Sequence, residues 1–134
     1  MGSVYFDVLP QSTITVRAGA KLPIAAVVAV DSFGQIVVEL TLRSPPDLTT
    51  NALKLYVKTA NTELPEAGWA AYTPKTITGV VTAGTPFIGR AVWRRDDAEP
   101  LLRLVAFEFE NDSGADLTAN ARIGVLGTGC GGCR

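Results

Sequence analysis

Histidine does not occur in this chain. Its absence removes the commonest general base and the commonest metal ligand. A Ser-His-Asp or Cys-His arrangement is excluded with it, and so are histidine-based zinc and copper sites. Charge is scarce as well. Asp, Glu, Lys and Arg make up 19% of the 134 residues, and 12 basic against 13 acidic residues leave a formal net charge of −1. There is no basic excess to neutralise phosphates, so nucleic acid is not an expected partner. Long apolar runs are missing too. The longest, Ile24 to Val30, has seven residues, where a membrane-spanning helix needs about 20. The N-terminal Met1-Gly2-Ser3-Val4 lacks a basic region followed by an apolar stretch, so neither a secretory signal nor a membrane anchor is expected.

Apolar residues, by contrast, reach 47%, enough for the core of one ordinary domain. Combined with so little charge, this implies that part of the outer surface is uncharged, as it is where another subunit covers it. The apolar residues alternate. Ile36, Val38, Leu40 and Leu42 share one phase, with Glu39, Thr41 and Arg43 in the other. Leu53, Leu55 and Val57 alternate with Lys54, Tyr56 and Lys58, and Leu117, Ala119, Ala121, Ile123 and Val125 alternate with Thr118, Asn120, Arg122 and Gly124. A period of two places each set on one face of a strand. Strands are expected near 4–9, 12–17, 22–31, 35–43, 52–59, 69–73, 76–82, 86–95 and 101–110, with a tenth near 117–126.

The fold class is therefore all-β: a single-domain β-sandwich or jelly roll of about eight to ten strands over residues 1–127, followed by a flexible Gly/Cys tail over 128–134. Ser32-Phe33-Gly34-Gln35 and Asn111-Asp112-Ser113-Gly114 read as hairpin turns. Ser44 to Asn51 and Asn61 to Gly68 read as longer inter-sheet loops, with room for a helical turn in Pro46 to Thr50. Leu22 to Val30 and Leu101 to Phe109 are apolar in both phases. Each is covered on two sides, by a subunit interface for instance, or carries a bulge that switches face.

The candidate sites are sparse. Cys130-Gly131-Gly132-Cys133 supplies two thiolates, too few to close a zinc site within one chain. A flexible tail with incidental thiols or a disulfide, within the tail or between subunits, is the expectation, with metal shared by two chains as the alternative. Arg94-Arg95-Asp96-Asp97, followed by Glu99, reads as a solvated hairpin tip with local ion pairs, since calcium needs six or more converging oxygens. Nothing in the spacing of Glu63, Glu66, Glu108, Glu110, Asp112 and Asp116 selects a glycosidase pair. Gly79 and Gly84 read as turn or bulge residues, not as a phosphate loop. Trp93 belongs to the core. Trp69 and Tyr72 lie on a loop or edge strand, where such rings grip a sugar or a partner. No catalytic, cofactor or metal site is expected, and the chain reads as a non-enzyme.

The layout as a whole is carried by Val4-Tyr5-Phe6-Asp7-Val8-Leu9 leading into Ser12-Thr13-Ile14-Thr15-Val16, the block Ile24 to Leu42, then Leu53-Lys54-Leu55-Tyr56-Val57-Lys58-Thr59 with Gly68-Trp69 after it. It closes on Leu101 to Phe109, a turn, and Leu117 to Val125. Over roughly residues 4–127 this resembles the small β-sandwich and jelly-roll proteins that decorate or cement tailed-phage capsids. The resemblance implies a virion protein on the capsid surface, often a trimer or dimer, that bridges neighbouring subunits of the major capsid or another virion protein. Tyr5, Phe6, Trp69 and Tyr72 are the candidate contact residues, and the N-terminal segment is a candidate arm for strand addition. The same layout is similar to discoidin-like and lectin-like sandwiches, which makes a carbohydrate-binding module the alternative.

Overall fold

A computed structural model of the chain describes residues 3–48, 53–62, 69–77, 80–96 and 98–129. The cysteines Cys130 and Cys133, and also Glu63, Glu66, Gly79 and Asp97, lie outside the described residues. Among the described residues there are nine strands and no helix: β1 (Val4–Val16), β2 (Lys21–Ala29), β3 (Gln35–Arg43), β4 (Leu53–Ala60), β5 (Ala70–Ala71), β6 (Lys75–Ile77), β7 (Phe87–Arg94), β8 (Leu104–Asn111) and β9 (Leu117–Thr128). Sheet A has the order β1-β9-β3-β7. Sheet B has the order β2-β8-β4-β5, with β6 pairing β4 further along the same strand.

All the pairings are antiparallel, and they nest. β1 pairs β9, β2 pairs β8, β3 pairs β7, and β4 pairs β5 and β6. The additional pairs β3·β9 and β4·β8 close each sheet. If β5 and β6 count as one interrupted strand, this is an eight-stranded jelly roll. Pro74 lies in the interruption, on an edge strand where its missing N–H does no harm.

The inward phases of the two sheets form one core. Ile36, Val38, Leu40, Leu42, Leu117, Ile123 and Val125 from sheet A face Leu53, Leu55, Val57, Val105, Phe107 and Phe109 from sheet B, all buried. Trp93 is buried too, its ring 6.5 Å from that of Phe107.

Several sequence expectations need correcting. Residues 4–9 and 12–17 are not two strands. Together they are the single edge strand β1, kept in register with β9 by shifts at Asp7/Leu9 and Leu9/Ser12. Such bulges also blunt the strand as a template for unwanted pairing. The turns at Ser32–Gln35 and Asn111–Gly114 are not hairpins, because each carries the chain from sheet B to sheet A. By contrast, the connection after Asn61 joins β4 to β5 within sheet B. Pro46 to Leu48 forms no helical turn. Leu48 bridges Val81, and Asp47 accepts a hydrogen bond from the Ala83 N–H at 2.6 Å.

Buried hydrogen bonds and rings determine these crossings. Asn111 is fully buried. Its Nδ2 donates to the carbonyls of Val16 (2.9 Å) and Ala115 (2.7 Å), while its Oδ1 accepts from the Ser113 hydroxyl (2.6 Å) and N–H (3.2 Å). Its backbone bonds Gly19 and Ala20, so one residue ties the β1–β2 and β8–β9 crossings together. At the other end, Phe33 packs edge-on against Phe6, 6.0 Å away, and lies over Gly127, where a Cβ would meet the ring at 2.5 Å. Arg95 is not a solvated tip residue. Its guanidinium turns inward and donates to the carbonyls of Phe33 (2.8 Å), Leu101 (3.1 Å) and Val30.

The two doubly apolar strands have different explanations. β2 carries a bulge between Ile24 and Val27, which leaves Ala25, Val27 and Ala29 exposed while Ile24 and Val28 point inward. β8 is covered on both sides by the chain itself, because Trp69 packs with Ala60, Leu104 and Ala106 on the outer face of sheet B.

Candidate interaction surface

Sheet B spends most of its outer face on internal pairing. Lys58 pairs with Glu108 at 3.5 Å and Lys54 with Asp112 at 3.2 Å. Tyr56 donates to Glu110 at 2.8 Å, and the Lys21 ammonium sits 4.2 Å from the Tyr56 ring centre. The Glu110 hydrogen bond, partial burial and the carboxylates of Glu110, Asp112 and Glu108 hold the Tyr56 phenol above the usual tyrosine range. Each of these groups has a partner within the face.

Sheet A differs. Register places its outward residues in rows across the strands. Tyr5, Leu126, Val37 and Val92 form an apolar row across all four strands. The next row is Asp7, Gly124, Glu39 and Arg90, and beyond it lie Arg122, Thr41 and Ile88. Tyr5 is 49% exposed and Ile88 54%. The Tyr5 ring does not stand up from the sheet. It lies across Gly124, where a Cβ would come within 2.0 Å of the phenol oxygen. Only glycine admits so close a cover, an aromatic laid over a strand glycine. The Arg122 guanidinium lies 5.3 Å from the same ring and bonds Asp7 at 3.3 Å, while Arg90 bonds Glu39 at 2.8 Å. The Asp7 hydrogen bond, Tyr5 and the Asp7 charge push the Arg122 guanidinium up, so it stays charged throughout. Tyr5, Val37, Glu39, Arg90, Gly124 and Leu126 together line a hollow of about 250 Å³.

The four candidate contact residues are not brought together. Tyr5 is on the outer face of sheet A. Phe6, its neighbour in the opposite phase, is half-buried against Phe33. Trp69 is 9% exposed over sheet B. Tyr72 is half-buried, and its hydroxyl donates to the Pro100 carbonyl at 2.6 Å. Burial, with Glu99 nearby, raises the Tyr72 phenol. Trp69 and Tyr72 therefore do not form an open aromatic platform. Val37, Leu126 and Val92 escaped the sequence reading of the surface. Their signal is an apolar residue in the polar phase of an alternating strand: Val37 between Gln35 and Glu39, Leu126 beyond Arg122, and Val92 between Arg90 and Arg94.

Among the described residues no group of acidic or cysteine side chains is placed to hold a metal ion, and no helix is long and apolar enough to cross a membrane.

No protein-family model matches the chain, and no curated protein matches it in sequence. Solved structures do match its fold. The VP2 subviral particle of infectious bursal disease virus superposes with a TM-score of 0.58 at 10% identity, over 98% of this chain and 33% of that one. The Gt strain of that virus gives 0.57 at 13% identity, over 98% and 32%. The T13 viral particle gives 0.55 at 12% identity, over 96% and 31%. The chain thus spans about a third of the length of these viral chains, and at such identities the likeness is one of fold. A Clostridium thermocellum xylanase carrying a CBM22 module superposes at a TM-score of 0.43 and 11% identity, over 93% of this chain and 26% of that one, too loosely to bear on fold or ligand.

Proposed function

We propose that this chain is a non-enzymatic structural subunit of a virus particle, one that decorates or cements a shell by packing the outer face of sheet A against a neighbouring subunit, first of all a second copy of itself. The observation that carries this reading is the row Tyr5–Leu126–Val37–Val92 across an otherwise uncovered sheet. Apolar and aromatic residues bordered by arginines are the composition of contact hot spots. Asp7 and Glu39 interspersed with Arg90 and Arg122 give the patch both signs of charge, as a self-complementary contact requires. The jelly roll, a fold also used by viral capsid domains, is consistent with this role.

Size sets the expected strength. Four strands about 4.8 Å apart, each about eight residues long at about 3.3 Å rise, make a face of roughly 500 Å². A stable interface of standard size buries about 800 Å² per partner. One such contact is therefore weak, and a shell multiplies weak contacts through many copies. The assembly expected first is a dimer, with a major capsid protein as a further partner on the phage-cement reading.

Amide spectra of the labelled protein over rising concentration test this. Concentration-dependent shifts confined to Tyr5, Val37, Val92 and Leu126 and their neighbours support the proposal. Shifts centred on the Lys54–Tyr56–Lys58 face, or none, refute it.

A further inference from the structure

A second hollow opens on the same sheet, at the end where β1 bulges. It measures about 280 Å³ and is lined by Gln11, Thr41, Arg43, Pro86, Asn120, Ala121 and Arg122. No carboxylate is among them. Arg122 is already neutralised by Asp7 at 3.3 Å. Arg43 is exposed and has no ion-pair or hydrogen-bond partner among the described residues. The hollow therefore offers one uncompensated positive charge.

Asn120 lies opposite Thr13 and Arg43 in the register. Its Oδ1 is buried and without a hydrogen bond, and it is the one such side-chain atom among the described residues. An orphaned buried acceptor is costly and uncommon in folded proteins. Its amide orientation is also not locked by any protein partner among the described residues. A half-turn of χ2 lets the side chain offer the hollow either N–H or C=O.

We infer that this hollow is a binding site for an acidic sugar unit, a single ring bearing one carboxylate and neighbouring hydroxyls, such as a uronate or a sialate. The charge count selects a monoanion over a phosphate dianion: Arg43 alone is uncompensated, and guanidinium matches carboxylate in a forked pair. Thr41, Gln11 and Asn120 are neutral donors and acceptors of the kind that hydroxyls need. Pro86, exposed at the rim, gives the C–H face of a ring an apolar wall. The volume is at the small end of ligand sites, which limits the occupant to about one ring. This inference rests on the lining of the hollow and not on the assembly reading.

The test is a titration of the labelled full chain with glucuronate and with N-acetylneuraminate, followed by amide and Asn side-chain shifts. Acetate and the methyl ester of glucuronate serve as controls. Saturable shifts at Thr41, Arg43, Asn120 and Arg122 are expected at millimolar ligand. The uncharged ester and the exposed-site variant Arg43→Gln should each bind roughly tenfold more weakly or worse, as loss of one charged hydrogen-bonded pair dictates. Asn120→Ala separates sugar recognition from bare charge: it should weaken the sugar acids and leave the acetate response unchanged. The inference is overturned by the absence of saturable shifts up to about 50 mM, by an ester or Arg43→Gln that binds as well, or by acetate that reproduces the sugar's shifts and affinity.

Discussion

Removing the Asn111 side chain should loosen the roll at the end where its two crossings meet. Asn111→Ala deletes two donors, to Val16 and Ala115, and one acceptor used twice by Ser113. The Ser113 hydroxyl has a second acceptor in the Ala115 carbonyl at 3.1 Å, so it is not stranded. The Val16 carbonyl and the Ser113 N–H lose this partner in a buried setting. At about 1–3 kcal/mol for each stranded group, with a small cavity added, the loss comes to about 3–5 kcal/mol. That is a large share of the roughly 5–15 kcal/mol that holds a domain together. It corresponds to a fall in Tm on the order of 10–20 °C at this size. The assay is urea unfolding followed by tryptophan fluorescence, which reports the buried Trp93. The expected result is a lower midpoint with an unchanged slope. Ser113→Ala serves as the mild control, at about 1 kcal/mol. A loss under about 1 kcal/mol for Asn111→Ala would refute the idea that this network fastens the crossings.

Three further outcomes follow from the faces. Gly124→Ala should destabilise the wild type by about 1 kcal/mol, because the Tyr5 ring must swing off the new Cβ, yet be neutral or stabilising in a Tyr5→Ala background; a double-mutant cycle with no coupling contradicts the stacked geometry. Trp69→Ala should cost about 3 kcal/mol and uncover Leu104 and Ala106, read as new binding of a hydrophobic dye to the folded state. The raised Tyr56 phenol contributes stability that is complete below about pH 10 and is lost as pH rises through its higher folded value. Tyr56→Phe should flatten that alkaline limb in unfolding midpoints measured against pH, and an unchanged limb counts against the Glu110 contact.

What the sequence disclosed and what it withheld divide along physical lines. Alternation located the strands and their inward faces, because burial on one side of a sheet imposes a period of two. It could not say which sheet each strand joins. Turn residues such as Ser32–Gln35 encode a local reversal. Whether the chain returns beside its neighbour or crosses the core depends on Phe33 reaching Gly127 and Arg95 reaching three carbonyls, contacts distant in sequence. Pro10 lies in the gap between the strands expected near 4–9 and 12–17. On an edge, a proline without an N–H is tolerated and the bulge absorbs it. The apolar outward phase of β8 called for cover on both sides or a bulge, and Trp69 supplies the cover from within the chain. On the surface, Tyr5 was legible only as one of the contact residues that the capsid-decoration resemblance implies. The row it belongs to was not, because Leu126, Val37 and Val92 come together only through register.

The most direct test of the account is sedimentation velocity of the wild type and Val37→Lys from low micromolar to millimolar concentration. Val37 is half-buried in the centre of the row, so a lysine there places a charge in the proposed contact while its stem still covers the sheet. The account predicts weak, reversible association of the wild type that Val37→Lys abolishes without altering the unfolding free energy by more than about 1 kcal/mol. Association that persists unchanged in Val37→Lys, or a wild type that stays monomeric throughout, would contradict it.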